Sequence, residues 1–315
     1  MPRPVEPQTS ATKSETQFAS MLDRVTVQHW LTDLVLRTLI WLTKRLPYKT
    51  RVRLMGQIVS GGIARLAGYR KRAERNLALV FPQMPKPEIR RLAKAACDNA
   101  GRTVIENYSL NDLVKVVRQG TISGDGMTAL RAALDVGRPV IFATGHFGNY
   151  EALRILLKEQ GITIGALYRP MKNPFFNAHY VEAMQSVSGP MFAQGRSGTR
   201  GFVKHLRTGG PLVLLYDIYS GSSPEIPFMG QPTRTAQSIG ELALKFDALV
   251  LPYFCIRNAD GITFQTELEA PIEGDSPETI MIELNRRLEQ KVYAHPEQWF
   301  WIHRRWKNIL GVSSN

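Results

Sequence analysis

The spacing of apolar and polar positions divides the chain near residue 120. Before that point apolar residues recur at three- and four-residue intervals, the period of one helix face. The segment VTVQHWLTDLVLRTLIWLTKRLP gathers Trp30, Leu31, Leu34, Val35, Leu39, Ile40 and Trp41, and Lys44 and Arg45 close it before Pro47. A second helical stretch covers about 86–118, its start punctuated by Pro82, Pro85 and Pro87. Beyond residue 120 the texture changes. Short runs rich in β-branched residues appear at 139–145 (PVIFATG), 162–168 (ITIGALY), 211–217 (PLVLLYD) and 248–256 (ALVLPYFCI), and a more alternating run, ITFQTELEA, follows at 262–270. Helices are predicted at 127–136, 149–160, 174–186, 197–208, 234–247 and 276–294. Near-continuous apolar strands separated by helices predict an α/β fold with a mostly parallel central sheet covered by helices. The expected organisation is a polar, disordered tail over 1–20, an N-terminal helical and basic extension over 21–120, and an α/β core over 121–310 with the extension packed on it. The tail lacks the basic start and apolar stretch of a signal peptide.

At 315 residues and 43% hydrophobic, the chain can bury one large core or two modest ones, which excludes a mainly disordered, collagenous or rod-like protein. The formal charge of +13 favours an anionic partner, whether membrane surface, nucleic acid or acidic protein, without choosing among them. Ten Lys or Arg residues against the single acid Glu74 fill 44–75. That run reads either as a solvated face or as a contact with anionic lipid, because it adjoins the Trp-rich helix. No zinc-finger spacing, RNA-binding sheet signature or recognition-helix pattern accompanies it, so nucleic acid is not the expected partner. The helix itself is interrupted by Asp33 and Arg37, and its apolar run is shorter than the about 20 residues a spanning helix needs. Lying on a membrane with Trp30 and Trp41 at the interface is the favoured reading; packing on the domain, or crossing the bilayer, are the alternatives. Cys97 and Cys255 have no metal-type spacing and read as buried thiols. No ligand pair such as HExxH occurs among the six histidines to point to a metal, and no cofactor is expected.

Open α/β sheets bind ligands beyond the carboxyl ends of their strands. The first strong strand ends in Thr144, Gly145, His146, Phe147, Gly148, Asn149, Tyr150, Glu151. The two glycines leave room around His146, which would be presented at a strand-to-helix turn. On a continuous helix Glu151 would point about 140° away from it. The two meet only if His146 precedes the helix and Glu151 lies on its first turns. A carboxylate on one imidazole nitrogen would strengthen the other as a base. The alternative is a capping histidine and a glutamate on a solvated turn. Trp299, Trp301, His303, Arg304, Arg305 and Trp306 form a C-terminal cluster that reads as packing, as an anion site, or as both. Asp217, at a strand end, is either a cap or a site residue.

GHFGNYE resembles the HxxxxE element of the bacterial lipid A biosynthesis acyltransferases, relatives of the glycerolipid acyltransferases. Other segments resemble the family in the same order: RKRAERNLALVFP at 70–82, YRPMKNP at 168–174, RSGTRGFVKHLRTGGPLVLLYD at 196–217, IPFMGQPTRT at 226–235, LVLPYFCIR at 249–257 and PEQWFWIHRRWK at 296–307. The chain departs at the family's DxD-like pair, of which only Asp217 is present, and at its TxTG, here Thr235, Ala236, Gln237, Ser238. The resemblance implies a glycerolipid-acyltransferase-like fold and an O-acyl transfer from acyl carrier protein to a hydroxyl of a lipid A precursor, an anionic glycolipid. The implied place is the cytoplasmic face of the bacterial inner membrane, with the chain peripheral or held by a single N-terminal anchor. It implies His146 as the base, Glu151 as its partner, and Arg169, Asn173, Arg196, Asp217, Arg304 and Arg305 as substrate-binding residues. An apolar groove would take the acyl tail. A related transfer to a lysophospholipid, an ornithine lipid or another glycolipid is the second reading, and a non-enzymatic basic membrane protein the third. No GxSxG occurs to support a serine hydrolase.

Overall fold

The structure, a computed structural model, describes residues 11–311, with side chains from residue 26 onward. Seven strands form one sheet: β1 (Ile122–Ser123), β2 (Val140–Thr144), β3 (Gly165–Tyr168), β4 (Met191–Ala193), β5 (Leu212–Leu215), β6 (Leu249–Arg257) and β7 (Phe264–Leu268). Their order is β1-β7-β6-β2-β5-β3-β4. The strands from β6 to β4 are mutually parallel; β7 runs antiparallel to β6, and β1 parallel to β7. The five strands expected from the sequence all form. β1 and β4 are too short to carry a periodic signal of their own.

Helices cover both faces. In β2, Ile141 and Ala143 enter one core cluster while Val140 and Phe142 enter the other, the alternation a pleated strand imposes. All five residues of β2 and all nine of β6 are buried, which is why these strands read as unbroken apolar runs. The first face carries the helices Tyr69–Val80, Lys86–Asn107, Arg196–Arg207, Ser238–Phe246 and Pro277–Ala294. The last of these begins on a capping box, with the Ser276 hydroxyl accepting from Thr279 N–H and Pro277 in the first turn, and buries Ile280, Leu284, Leu288 and Val292 at i, i+4 spacing. Leu110–Val117, Gly126–Asp135 and Glu151–Glu159 cover the second face. Residues 73–96 thus share a core with the sheet: Ala73, Leu77, Ile89 and Leu92 pack in the same cluster as Ile141 and Leu212.

The N-terminal helix spans Ala11–Thr43, so residues 11–20 of the segment expected as a disordered tail belong to it, and 1–10 lie outside the described residues. Its inner positions are Asp33, Ile40 and Thr43, and Asp33 lies 3.7 Å from Arg37. Its apolar residues Val27, Leu31, Leu34, Val35 and Leu42 face outward, with Trp30 49% and Trp41 55% exposed. Among the described residues no helix is long and apolar enough to cross a membrane.

Candidate active site

β2 and β5 are neighbours, yet the chain leaves them toward opposite faces of the sheet. After β2 it enters Glu151–Glu159 on the second face; after β5 it reaches Ser238–Phe246 on the first. The crevice between such diverging connections is the ligand-binding position of an open α/β sheet. The two strand ends bring His146 and Asp217 together there. His146 Nδ1 lies 2.7 Å from Asp217 Oδ1, and the His146 backbone N–H donates to Asp217 Oδ2 at 2.8 Å. Trp299 Nε1 donates to the same oxygen at 2.8 Å. Burial alone would raise the Asp217 carboxyl. The charge and hydrogen bonds of His146, with a further contribution from His303, outweigh it and hold the group well below the carboxylate range. An ionised carboxylate only accepts, so Nδ1 carries a proton, and in the neutral imidazole the lone pair is on Nε2.

Three rings wall in the imidazole, whose side chain remains 26% exposed: His303 edge-on at 4.6 Å between centroids, Tyr150 at 5.7 Å and Phe300 at 5.9 Å. Burial, and then the charge of His146, push His303 down to about 3, so it stays neutral when its neighbour takes a proton. The glycines permit this crowding. A Cβ on Gly145 would stand 2.8 Å from Leu288 Cδ2 and 3.1 Å from Asp217 Oδ2. Gly148 adopts φ +56°, and a Cβ there would meet the Cys255 carbonyl oxygen at 1.8 Å.

The turn is fastened to the C-terminal segment, Gly148 N–H donating to Gln298 O and Phe300 N–H to His146 O, both at 3.0 Å. Beneath it lies a buried polar network. Asn149 Nδ2 donates to Glu106 Oε2 at 2.9 Å, Arg257 pairs with Glu106 and donates from Nε to Asn99 Oδ1 at 2.8 Å, and the Gln298 side chain bonds both N–H and C=O of Arg257. Each member has a partner, which is the condition for such a network to rigidify a site.

The expected dyad of His146 with Glu151 does not form. Glu151 opens the helix after the turn, is buried, and places Oε2 2.5 Å from Arg154 Nη1. Arg154 in turn donates to Ile164 O at 3.1 Å and Ser188 O at 2.9 Å, so the pair ties the helix start to the approach to β3. The carboxylate on His146 comes from the neighbouring strand instead. Asn173, expected to touch substrate, is spent as a helix cap: its Oδ1 accepts from Phe175 and Phe176 N–H, and its Nδ2 donates to His29 O at 2.8 Å. Arg305, likewise expected to meet phosphate, is fully buried. It donates to Ile218 O and Thr235 Oγ1, lies over the Phe228 ring, and is lowered to about 10 by burial. Arg169 and Arg196 are exposed just past the ends of β3 and β4, and Arg304 is exposed beside His303. Trp299, Trp301 and Trp306 are core, Trp299 and Trp301 meeting edge to face at 4.7 Å. Both cysteines are buried thiols.

Four further residues support the site. Trp299 and His303 lie in a cluster the sequence singles out, but not as partners of Asp217 and His146. Arg154 carries no sequence signal beyond its polar character within an apolar helix, and Asn76 lies in the 70–82 segment the sequence singles out, but not as a tie to the C-terminal segment. Asn76 Nδ2 donates at 2.7 Å to both Trp301 O and His303 O, joining the 70–82 and 296–307 segments. Among the described residues no group of three or more His, Cys, Asp or Glu side chains could hold a metal.

Comparison with known proteins agrees with this architecture. The profile of the bacterial lipid A biosynthesis acyltransferases matches residues 18–308. The chain is 27% identical over 296 residues to the lipid A biosynthesis lauroyltransferase of Escherichia coli, covering 89% of this chain and 92% of that one. It is 24% identical to a lipid A biosynthesis acyltransferase of Haemophilus influenzae, with 81% of each covered. The phosphatidylinositol mannoside acyltransferase of Mycobacterium tuberculosis is also 24% identical, over 78% of this chain and 80% of its own length. The chain belongs to the bacterial lipid A biosynthesis acyltransferase family and is an acyltransferase.

Proposed function

We propose that this acyltransferase moves a fatty acyl group from the thioester of an acyl carrier protein to a hydroxyl of a lipid A precursor at a membrane surface. The observation that carries the mechanism is the Asp217–His146 pair with its free Nε2. Asp217 fixes the proton on Nδ1; His146 Nε2 removes the proton of the acceptor hydroxyl, and the alkoxide oxygen adds to the thioester carbonyl. The C–S bond of the tetrahedral intermediate then breaks, the acyl ester is left on the acceptor, and the departing thiolate takes the proton from His146. Neutral His303 and the rings of Tyr150 and Phe300 limit water around the base. The outward apolar stripe of the N-terminal helix, with Trp30 and Trp41 flanking it, supports a seat on the bilayer where such an acceptor resides. The net charge of +13 suits an acidic carrier and a phosphorylated acceptor alike.

Likeness to a phosphatidylinositol mannoside acyltransferase favours a second acceptor class, an anionic glycolipid other than lipid A, with the same chemistry. The test is acyl transfer in detergent micelles by the full chain, using carrier-bound C10 to C18 acyl groups and a tetra-acylated lipid A precursor, beside His146→Ala. Transfer by the wild type that is lost in the variant is expected. Transfer only to another glycolipid moves the substrate to the second class. No transfer to any lipid by folded, micelle-bound protein would sink the proposal.

A further inference from the structure

We propose that Arg72, Arg75 and Arg304 form an anion subsite beside His146 that takes a phosphate group of one of the two substrates; assigning that phosphate to donor or acceptor rests on the acyl-transfer reading above. Two distant stretches of chain build it. Asn76 anchors the helix Tyr69–Val80 to the carbonyls of Trp301 and His303 at 2.7 Å each. One turn earlier, Arg72 Nη1 donates to Ile302 O at 3.3 Å and the guanidinium lies 5.5 Å over the Tyr69 ring. Arg72 is therefore folded over the segment 301–303, whose last residue stands against His146. Arg304 follows directly and is exposed, as is Arg75.

The charges gathered there are uncompensated. Among the described residues none of the three arginines has a carboxylate partner, while Glu74, the one acid within the 44–75 run, lies 3.4 Å from Arg70. Burial and then the charge of Arg304, with a smaller contribution from Arg75, lower the Arg72 guanidinium, and the charge of Arg72 is felt at His303. Holding like charges close costs free energy in the unliganded protein, and an anion relieves it. Guanidinium forks match the oxygens of a phosphate in geometry and charge. Such a group can come from a phosphomonoester on the acceptor sugar or from the phosphodiester of the carrier's pantetheine arm. Either would be held by residues that adjoin the 301–303 segment, whose His303 stands against the base.

The test is equilibrium binding to the full chain in micelles, which needs no turnover. Four probes are compared: a bis-phosphorylated acylated glucosamine disaccharide, the same lipid after phosphatase, an acyl thioester of 4′-phosphopantetheine, and the same thioester of pantetheine. Arg304→Gln removes no internal hydrogen bond, so it reports on the subsite without threatening the fold; Arg72→Gln and Arg75→Gln accompany it, checked by thermal unfolding. Each should weaken the phosphate-bearing probe by roughly 10-fold or more, the scale of a charge-assisted hydrogen bond, and leave its phosphate-free counterpart unchanged. Loss confined to the lipid pair assigns the acceptor phosphate, and loss confined to the thioester pair assigns the donor. Equal binding by wild type and variants, or a loss independent of phosphate, overturns the subsite. Phosphate-dependent binding without acyl transfer would leave the subsite standing and remove the transfer reading instead.

Discussion

Two buried carboxylates flank the turn that carries His146, and they hold different neighbours. Asp217, from the adjacent strand end, receives the His146 ring and backbone together with the Trp299 indole. Glu151, five residues along the same chain, turns into the second face of the sheet and meets Arg154. In this turn the base is reached from the next strand and not from the helix that follows it. The helix start must point its first side chains into the core to pack. On this account Asp217 works on the proton of the imidazole, and Glu151 works on the position of the turn.

Substitutions at the two acids should therefore fail in different ways. Asp217→Asn should lower kcat by about 10³- to 10⁴-fold, the cost of losing the correct tautomer behind a catalytic imidazole, while the thermal midpoint moves comparatively little. Glu151→Gln should do the reverse. It leaves Arg154 charged and buried without its counterion, at about 3 kcal/mol of stability in denaturant unfolding, and lowers kcat per folded molecule less than 10-fold. If Glu151→Gln loses activity as deeply as Asp217→Asn while remaining folded, the division of labour is wrong.

Acid sharpens the same comparison. The neutral His303 is held at about 3, against an ordinary value of about 6.5, so between these values the unfolded chain binds more protons than the folded one. Stability is then full above about pH 6.5 and falls by about 1.4 kcal/mol per pH unit as the pH drops toward 3. The depressed Asp217 carboxyl adds a loss of the same sign below about pH 3.8. In His303→Phe the slope between pH 6 and 4 should flatten by about one proton's worth, read from urea midpoints across pH. The smallest effect is expected at Trp299→Phe, which removes one of three hydrogen bonds to Asp217. A loss of about 1–3 kcal/mol should accompany it, with a lesser fall in kcat than at Asp217 itself.

The strands and their order of appearance are readable from the chain because β2, β5 and β6 are buried on both faces and so write unbroken apolar runs. His146 is readable for a related reason: glycines on both sides of a histidine at a strand end leave few explanations other than close approach. Its partner is not readable. Asp217 lies 71 positions away, and only the pairing of β2 with β5 brings it near. The buried state of Arg305 is equally invisible, since it depends on a loop folding back from elsewhere, whereas the capping role of Asn173 is written locally in the Asn–Pro pair that opens the helix expected from 174. The first helix departs from the usual pattern in the direction its tryptophans suggest. The N-terminal helix buries Asp33 and exposes Trp30 and Trp41, the reverse of a helix packing its apolar face on a soluble core.

The most direct measurement is the nitrogen NMR of the His146 imidazole in wild type, Asp217→Asn and Glu151→Gln. The account predicts a proton held on Nδ1 in the wild type and in Glu151→Gln, and a shift toward the Nε2-protonated form in Asp217→Asn. An imidazole indifferent to Asp217→Asn but altered by Glu151→Gln would contradict it.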